Sequence, residues 1–573
     1  MGAVNKVARP GAWLFGCWVL VALPATAQSV RAPSPEEILR LPPAMQVAAQ
    51  PMGDAGCKGT LAPQPGEVAS EKVGSFAVTG VTVFPAGRFD RLTRPIEGRT
   101  VSPEALNRVG AQIVCAYRER GYVFARAEVI RKGDDQWSVS VHEGVLGRLE
   151  SAVDDPREAR ALRRAFRGLK PGRPINANDV RRGLLNAGVL GFTDIRPTVR
   201  QSRGDPDELD IVLVVQAPES IAQLHVDNSN SHTLGRDGAL ASLTTTGFSP
   251  LYARTSFGVF HSLDGQGQIT WQASGHVLEP FTGTDVGLDL ASSRALPRAE
   301  LSPLDLVSNT QYGKLSLNRY LWVRHGLITH GSLALESVDQ STDLFGDFPF
   351  IRDRLRVVSL RGEAQQLAFG GLLNGSLEVR KGLSGLGASQ PGSPMISVAD
   401  ADPQALVWRA EADYSHTFGR FGVAASVRGQ YTDRSLLSFE QMTFGSLNGG
   451  PAFDPAAIAG DRGVAMTLQV QAPRFSPGHG LVIQPYGFTD AAHITPVIAF
   501  GPHPGGWATD VGGGLKFAAG RRFAFNLSYA ETLGSGGAGR RDYGSRVLFS
   551  LDLNLDNPLR RTADLFTRRG SKP

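Results

Sequence analysis

Hydrophobic and polar residues alternate with a period of two over much of the C-terminal part of this chain. In Arg546 to Leu555, Val547, Phe549, Leu551, Leu553 and Leu555 share one face, and Ser550, Asp552 and Asn554 share the other. Phe523, Phe525, Leu527 and Tyr529 alternate with Ala524, Asn526 and Ser528, and Val464, Met466, Leu468 and Val470 with Ala465, Thr467, Gln469 and Gln471. That period marks strands whose two faces meet different environments. Several segments approach ~10 residues, the length a tilted strand needs to cross a bilayer, whereas soluble strands average nearer ~5–6. The stretch 220–555 accommodates about 16 such strands, and an even antiparallel set can close and pair every backbone amide, as lipid demands. The predicted fold class is mostly β, with a C-terminal ~16-stranded antiparallel transmembrane β-barrel preceded by two smaller α+β domains. The polar face, rich in Asp, Asn, Gln, Ser and Gly, predicts a water-filled lumen.

Upstream of Ser220 the rhythm becomes mixed. In 74–146, Phe76 to Phe84 predicts a strand, and Ser102-Pro103-Glu104-Ala105 opens a helix with a capping hydroxyl and a proline in the first turn. Leu106, Val109, Ile113 and Tyr117 follow at helical spacing, Gly121 ends the helix, and Tyr122 to Ile130 and Trp137 to Val141 predict two more strands. Residues 147–219 repeat the order: a weak strand at Leu149, helices over Pro156 to Phe166 and Asn176 to Ala187, then strands over Phe192 to Arg200 and Leu209 to Gln216. Two units of one topology make a tandem repeat. Residues 28–73 predict a linker with one short helix at Ser34-Pro35-Glu36-Glu37, stopped by Pro42-Pro43. Residues 1–27 predict a secretory signal: Lys6 and Arg9, the apolar run Ala12 to Leu23, and Ala25-Thr26-Ala27 before a cleavage at Gln28. Residues 556–573 form a basic tail with Arg560, Arg561, Arg568 and Arg569.

Composition narrows the functions open to this layout. A mean hydropathy of −0.12 excludes a bundle of membrane helices, and a net charge of +5 over 573 residues gives no nucleic-acid footprint. Cys17 leaves with the signal, so Cys57 and Cys115 remain, either joined in a disulfide or as one exposed and one buried thiol. Gly534-Ser-Gly536-Gly-Ala-Gly539 matches a dinucleotide pattern but lies between strands, with no following helix to hold a pyrophosphate, so no nucleotide is expected. His325 and His330 lack ligand spacing, and no nucleophile stands beside a base. No metal, cofactor or catalytic residue is therefore expected.

Several short motifs occur in a telling order. Tyr117-Arg-Glu-Arg-Gly121-Tyr122-Val123 and Leu184-Leu-Asn-Ala-Gly188-Val189 close the main helices of the two modules. Lys381-Gly-Leu-Ser-Gly-Leu-Gly-Ala388, Gln484-Pro-Tyr-Gly-Phe-Thr-Asp490-Ala491, and Gly512-Gly-Gly-Leu-Lys-Phe517 with Asn526-Leu-Ser-Tyr-Ala530 follow in the barrel. Over 74–555 the chain resembles the TpsB transporters of two-partner secretion, the ShlB/FhaC/HecB haemolysin secretion/activation type, whose modules are POTRA domains. The resemblance implies a bacterial outer-membrane protein with periplasmic POTRA domains that recognises an unfolded exoprotein passenger and secretes it through the pore. Its expected partners are that polypeptide and outer-membrane lipid. An assembly factor of the same superfamily, or a diffusion porin, is the alternative. A POTRA edge strand can take up an extended peptide by backbone pairing, with Phe192 to Arg200 as the candidate edge. Tyr117, Gly121, Tyr122, Phe192 and Ile195 are the candidate passenger-binding residues. The family folds a loop with a Val-Arg-Gly-Tyr/Phe tip into the barrel, its arginine pairing with a wall aspartate. Here Gly450-Pro451-Ala452-Phe453-Asp454 keeps the aromatic and lacks the arginine. Phe453, Asp454, Asp461, Arg462 and Asp490 are the candidate gating-loop and wall residues, with Arg462 the expected substitute partner of Asp490. The family's N-terminal plug helix would correspond to the short helix at Ser34.

Overall fold

The computed structural model describes residues 70–556, apart from 206–207, 217–219, 248–251, 265–266, 280, 325, 499–505, 521 and 538–543. The expected signal, the linker with Ser34 and Cys57, and the C-terminal tail lie outside the described residues.

The first unit contains β1 (Glu71–Val73), β2 (Ser75–Thr79), α1 (Asp90–Thr93), β3 (Arg99–Val101), α2 (Pro103–Glu119), β4 (Arg126–Arg131) and β5 (Gln136–His142). Its sheet runs β2-β5-β4. Ser102 caps α2 by accepting from the Ala105 amide, and Leu106, Val109, Ile113 and Tyr117 form the stripe packed against the sheet. The strand expected over Phe76 to Phe84 stops at Thr79. Gly80 adopts φ +79°, where a Cβ would stand 2.2 Å from the Val141 carbonyl oxygen, and the chain turns away. The stretch Tyr122 to Ala125 also turns, and pairing begins at Arg126.

The second unit contains β6 (Val145–Ser151), α3 (Pro156–Ala165), α4 (Ala177–Val189), β7 (Thr193–Gln201) and β8 (Glu208–Gln216), with sheet order β6-β8-β7. Asp155 and Asn176 cap its helices. Leu146, Leu162, Phe166, Ile175, Leu190, Phe192 and Ile211 are fully buried between helices and sheet.

The barrel follows: β9 (Ile221–Asp227), β10 (Gly238–Thr246), β11 (Arg254–Ser262), β12 (Gln268–Leu278), β13 (Asp285–Ala295), β14 (Val307–Arg324), β15 (Leu327–Leu344), β16 (Phe348–Ala368), β17 (Gly371–Gly382), β18 (Leu406–Phe418) and β19 (Phe421–Tyr431). The chain then makes β20 (Met442–Phe444) and β21 (Ile458–Gly460) within a loop. It returns to the wall with β22 (Arg462–Gln471), β23 (Phe475–Gly478), β24 (Leu481–Thr495), β25 (Gly506–Ala519), β26 (Phe523–Gly537) and β27 (Ser545–Asp556). β23 resumes the line of β22 and pairs with the same neighbour, β24, so the wall has the expected 16 antiparallel strands. β27 pairs with β9 from Ser550↔Asp227 to Asp556↔Ile221 and closes it. Alternation places Leu288, Leu290, Leu315, Leu317, Leu333, Leu335 and Leu360 outward, while Gln268, Thr270, Gln272 and Ser274 are buried inward. An apolar outer band around a polar interior is the arrangement lipid selects.

The second unit is fastened to one end of the barrel. Tyr252, in the β10–β11 connection, enters its core and stacks on Phe192 with centroids 5.4 Å apart and planes 11° off parallel. Its hydroxyl donates to Glu158 at 3.3 Å. Leu278 from the end of β12 joins the same core, and Arg182 on α4 donates to the Leu321 carbonyl of β14 at 3.4 Å.

Candidate functional site: the lumen loop and the periplasmic edge

The loop over 432–461 turns back into the barrel. Its aromatic residues Phe444 and Phe453 are fully buried, with ring centroids 5.8 Å apart. They pack with inward-facing Ala465, Ala492, Ala508 and Ala530. Four small side chains on neighbouring strands leave a recess the rings fill, and Ile494 and Leu548 complete it. The turn requires glycine. Gly449 and Gly450 have φ near +80°, and a Cβ on Gly450 would lie 2.4 Å from the Phe444 ring.

Polar contacts fix the loop at several points, and most have one polarity: the wall supplies cations and the loop supplies anions or carbonyls. Arg380 on β17 binds Glu440 of the loop through Nε at 2.6 Å and Nη2 at 3.1 Å, while also bridging Glu336 of β15 at 3.0 and 3.1 Å. All three side chains are at most 6% exposed. Arg409 lies 3.4 Å from the same Glu440. Asp454 meets His232 and, at 3.2 Å, Arg236 of the β9–β10 connection, with Arg546 of β27 at 3.4 Å. Arg546 also donates to the Phe453 carbonyl at 2.8 Å, and Arg428 to that of Asn448. Asp461 is fully buried at the loop base, accepting from the Leu436 amide at 3.0 Å, the Gln441 amide group at 3.1 Å and the Val497 amide at 2.8 Å.

The expected pairing of Arg462 with Asp490 does not occur. Arg462 is exposed, on the outward parity of Val464 and Met466 and opposite Thr495. Asp490 points inward, opposite Thr467 and Asp510, and accepts from the Thr467 hydroxyl and the Gly450 amide. Asp510 accepts from the Ala452 amide at 2.9 Å. Wall carboxylates thus meet backbone amides of the loop tip where a guanidinium was expected. Of the gating candidates, the structure brings Phe453, Asp454, Asp461 and Asp490 to the loop and leaves out Arg462. Sequence reasoning missed Arg380, Arg428, Arg546, His232, Arg236, Glu440 and Asp510. Lumen parity on a strand was the one local signal for Arg380, Arg428, Arg546 and Asp510, and His232, Arg236 and Glu440, in connections, had none, since their partners lie far away in sequence.

In the periplasmic units, two candidates are packing residues. Tyr117 is fully buried and donates to Glu143 at 2.5 Å. Phe192 is equally buried against Tyr252. Neither presents a surface to a passenger, which corrects that expectation: Tyr117 ends the apolar stripe of α2 and Phe192 leads into β7, and both are core positions. Glu143 holds the turn after β2, accepting from the Thr82 amide at 2.7 Å, the Thr82 hydroxyl and the Val83 amide at 2.9 Å. Burial alone would raise its pKa, but the hydrogen bonds from Thr82, Tyr117 and Val83 hold it below the ordinary value of 4.5. Burial and then the adjoining carboxylate push the Tyr117 phenol up. Gly121 is the joint between the units: φ is +91°, its carbonyl accepts from the Ala177 amide at 2.8 Å, and Asn176 donates to the Arg120 carbonyl at 3.0 Å. Tyr122 packs edge-on to Tyr117. Ile195 lies on β7, which is an edge of its sheet, with Thr193, Arg196, Thr198 and Arg200 exposed along it. Cys115 is disulfide-bonded, and Cys57 lies outside the described residues.

Two family models match the chain: haemolysin secretion/activation protein ShlB/FhaC/HecB over residues 208–496, and POTRA domain, ShlB-type, over 72–144. No curated protein matches it. Among solved structures, CdiB from Escherichia coli is similar at 18% identity, covering 95% of this chain and 100% of that one with a TM-score of 0.76. CdiB from Acinetobacter baumannii is similar at 15% identity, covering 93% and 99% with a TM-score of 0.66. These likenesses establish the shared fold.

Proposed function

Since the chain belongs to the haemolysin secretion/activation family ShlB/FhaC/HecB, we propose that it captures an unfolded exoprotein in the periplasm and passes it through the barrel lumen to the cell surface. The barrel sits in the outer membrane and the POTRA domains in the periplasm. The observation that carries the reading is the free edge of β7, held next to the barrel entrance because its domain is fastened to the periplasmic turns. An extended passenger segment can add to that edge through main-chain hydrogen bonds, with little demand on its sequence. Passage then requires the loop over 432–461 to leave the lumen. A route of this kind needs no nucleotide, because folding outside the cell biases the movement.

Deleting residues 74–216, which removes both periplasmic units and the β7 edge, tests the reading. The variant should still show heat-modifiable gel migration, the mark of an intact barrel, while export of its exoprotein falls to background. Undiminished export would contradict capture by the periplasmic domains. A general loss of other outer-membrane proteins would reassign the chain to barrel assembly.

A further inference from the structure

We propose that the basic face of α3 binds anionic phospholipid headgroups at the periplasmic surface of the outer membrane, pinning the second POTRA domain beside the barrel rim. From Arg157 to Arg173 the chain carries seven cationic side chains and one carboxylate, Glu158, in a protein whose entire net charge is +5. At helical spacing, Arg157, Arg160, Arg163 and Arg164 fall on one side of α3, while Ala161, Leu162 and Ala165 fall on the other and are buried in the domain core. Arg157, Arg160 and Arg163 are exposed and form no ion pair among the described residues. Like charges three and four residues apart repel along a helix, so this face costs the free domain stability. An external anionic surface would offset that cost.

The position of the helix selects lipid as that surface. Glu158 contacts Tyr252 in one periplasmic turn of the barrel. The Arg167 side chain reaches the next turn, its Cδ 3.2 Å from where a Cβ on Gly283 would stand. Arg182 donates to the Leu321 carbonyl, adjacent to Trp322, which is 58% exposed on the barrel exterior. An outward tryptophan at a strand end marks the level of the headgroups. Glu158 and Arg167, which flank the basic face, thus sit at the domain–barrel interface, and the neighbouring helix α4 reaches the strand end that carries Trp322. Near an anionic membrane each such cation strengthens attachment about five-fold.

The test uses the full chain in nanodiscs of phosphatidylcholine, alone or mixed with phosphatidylglycerol, and follows amide exchange in residues 156–167. Exchange should slow about tenfold or more in the anionic discs and revert with added salt. Arg157→Gln/Arg160→Gln/Arg163→Gln should weaken the docked state about a hundredfold and abolish the protection, while the three Arg→Lys replacements retain it. Unchanged exchange in α2 and heat-modifiable migration report that the variants are folded. Equal exchange of the unaltered chain in both compositions would overturn the proposal. So would protection by soluble polyglutamate in phosphatidylcholine discs, which would assign the face to an acidic polypeptide.

Discussion

Replacing Glu440 with Gln tests whether the loop is held by wall cations. The change removes the loop's charge and leaves Arg380 paired with Glu336 and with Glu378 at 3.3 Å, so the wall keeps its own compensation. Glu440 accepts two charge-assisted hydrogen bonds from Arg380, at 2.6 and 3.1 Å, on a side chain only 6% exposed. Each such bond contributes about 1.5–3 kcal/mol, and a glutamine oxygen retains part of one. A net loss of about 2–3 kcal/mol follows, which multiplies the population with the loop displaced by roughly 30 to 150. Asp454→Asn, at the other end of the loop, weakens contacts to His232, Arg236 and Arg546. Single-channel recording in planar bilayers should show open events of the same conductance in both variants but far more often than in the parent. Protease cleavage between 442 and 458 should rise in parallel. The Glu440→Gln/Asp454→Asn pair should exceed either single change, since the two contacts are separate. Open frequencies in both single variants equal to the parent's would refute the reasoning and leave the buried rings of Phe444 and Phe453 as the dominant hold.

Three further outcomes follow from the periplasmic domains. Glu143→Gln should cost about 2–3 kcal/mol, because it weakens the carboxylate that four donors share, and should speed amide exchange at Thr82 and Val83. In the parent, the Glu143 pKa is held below 4.5, so this stabilisation is complete above that pH and fades as pH falls through the folded value. Protection of these amides, taken relative to their intrinsic exchange at each pH, should therefore fall on acidification in the parent and be nearly flat with pH in the variant. Tyr252→Ala should cost about 3–5 kcal/mol at the domain–barrel interface, seen as faster exchange in α4 with the barrel's gel migration unchanged. Cys115→Ser should abolish a mobility difference between reducing and non-reducing gels, and Cys57→Ser should do the same if Cys57 is the partner.

The barrel was legible because a membrane strand must satisfy two solvents at once. The parity of Val547, Phe549 and Leu551 against Ser550 and Asp552 is imposed locally, residue by residue, and needs no knowledge of the neighbouring strand. The helices were legible for a similar reason: Ser102, Asp155 and Asn176 act on amides within three residues of themselves. Failures cluster where a distant group decides. Residues Phe76 to Phe84 have strand composition throughout, but Glu143, some 60 residues on, takes the amides of Thr82 and Val83 and ends the strand early.

The loop carries the same argument into function. Arg462 looked like the partner of Asp490 because it follows closely on a tip that lacks its arginine, and sequence proximity to the tip was the only guide to a substitute cation. Strand parity already excluded it. Arg462 shares the face of Val464, Met466 and Leu468, all of which are outward. By the same parity Arg428, Arg380 and Arg546 had to face the lumen, where Glu336 and Glu378 of the wall answer only part of their charge. Burying such charges is costly unless an anion reaches them, and the segment free to enter from one rim is the loop that carries Glu440 and Asp454. Loss of the tip arginine is therefore accompanied by an exchange of polarity, with loop anions on wall cations and wall carboxylates on loop amides. A lock built this way should survive substitution of any tip residue that keeps the Gly449-Gly450 turn and the Phe453 ring. Pro451→Arg tests that: it should leave open frequency unchanged, whereas a marked fall would mean that Asp490 and Asp510 still await a cation.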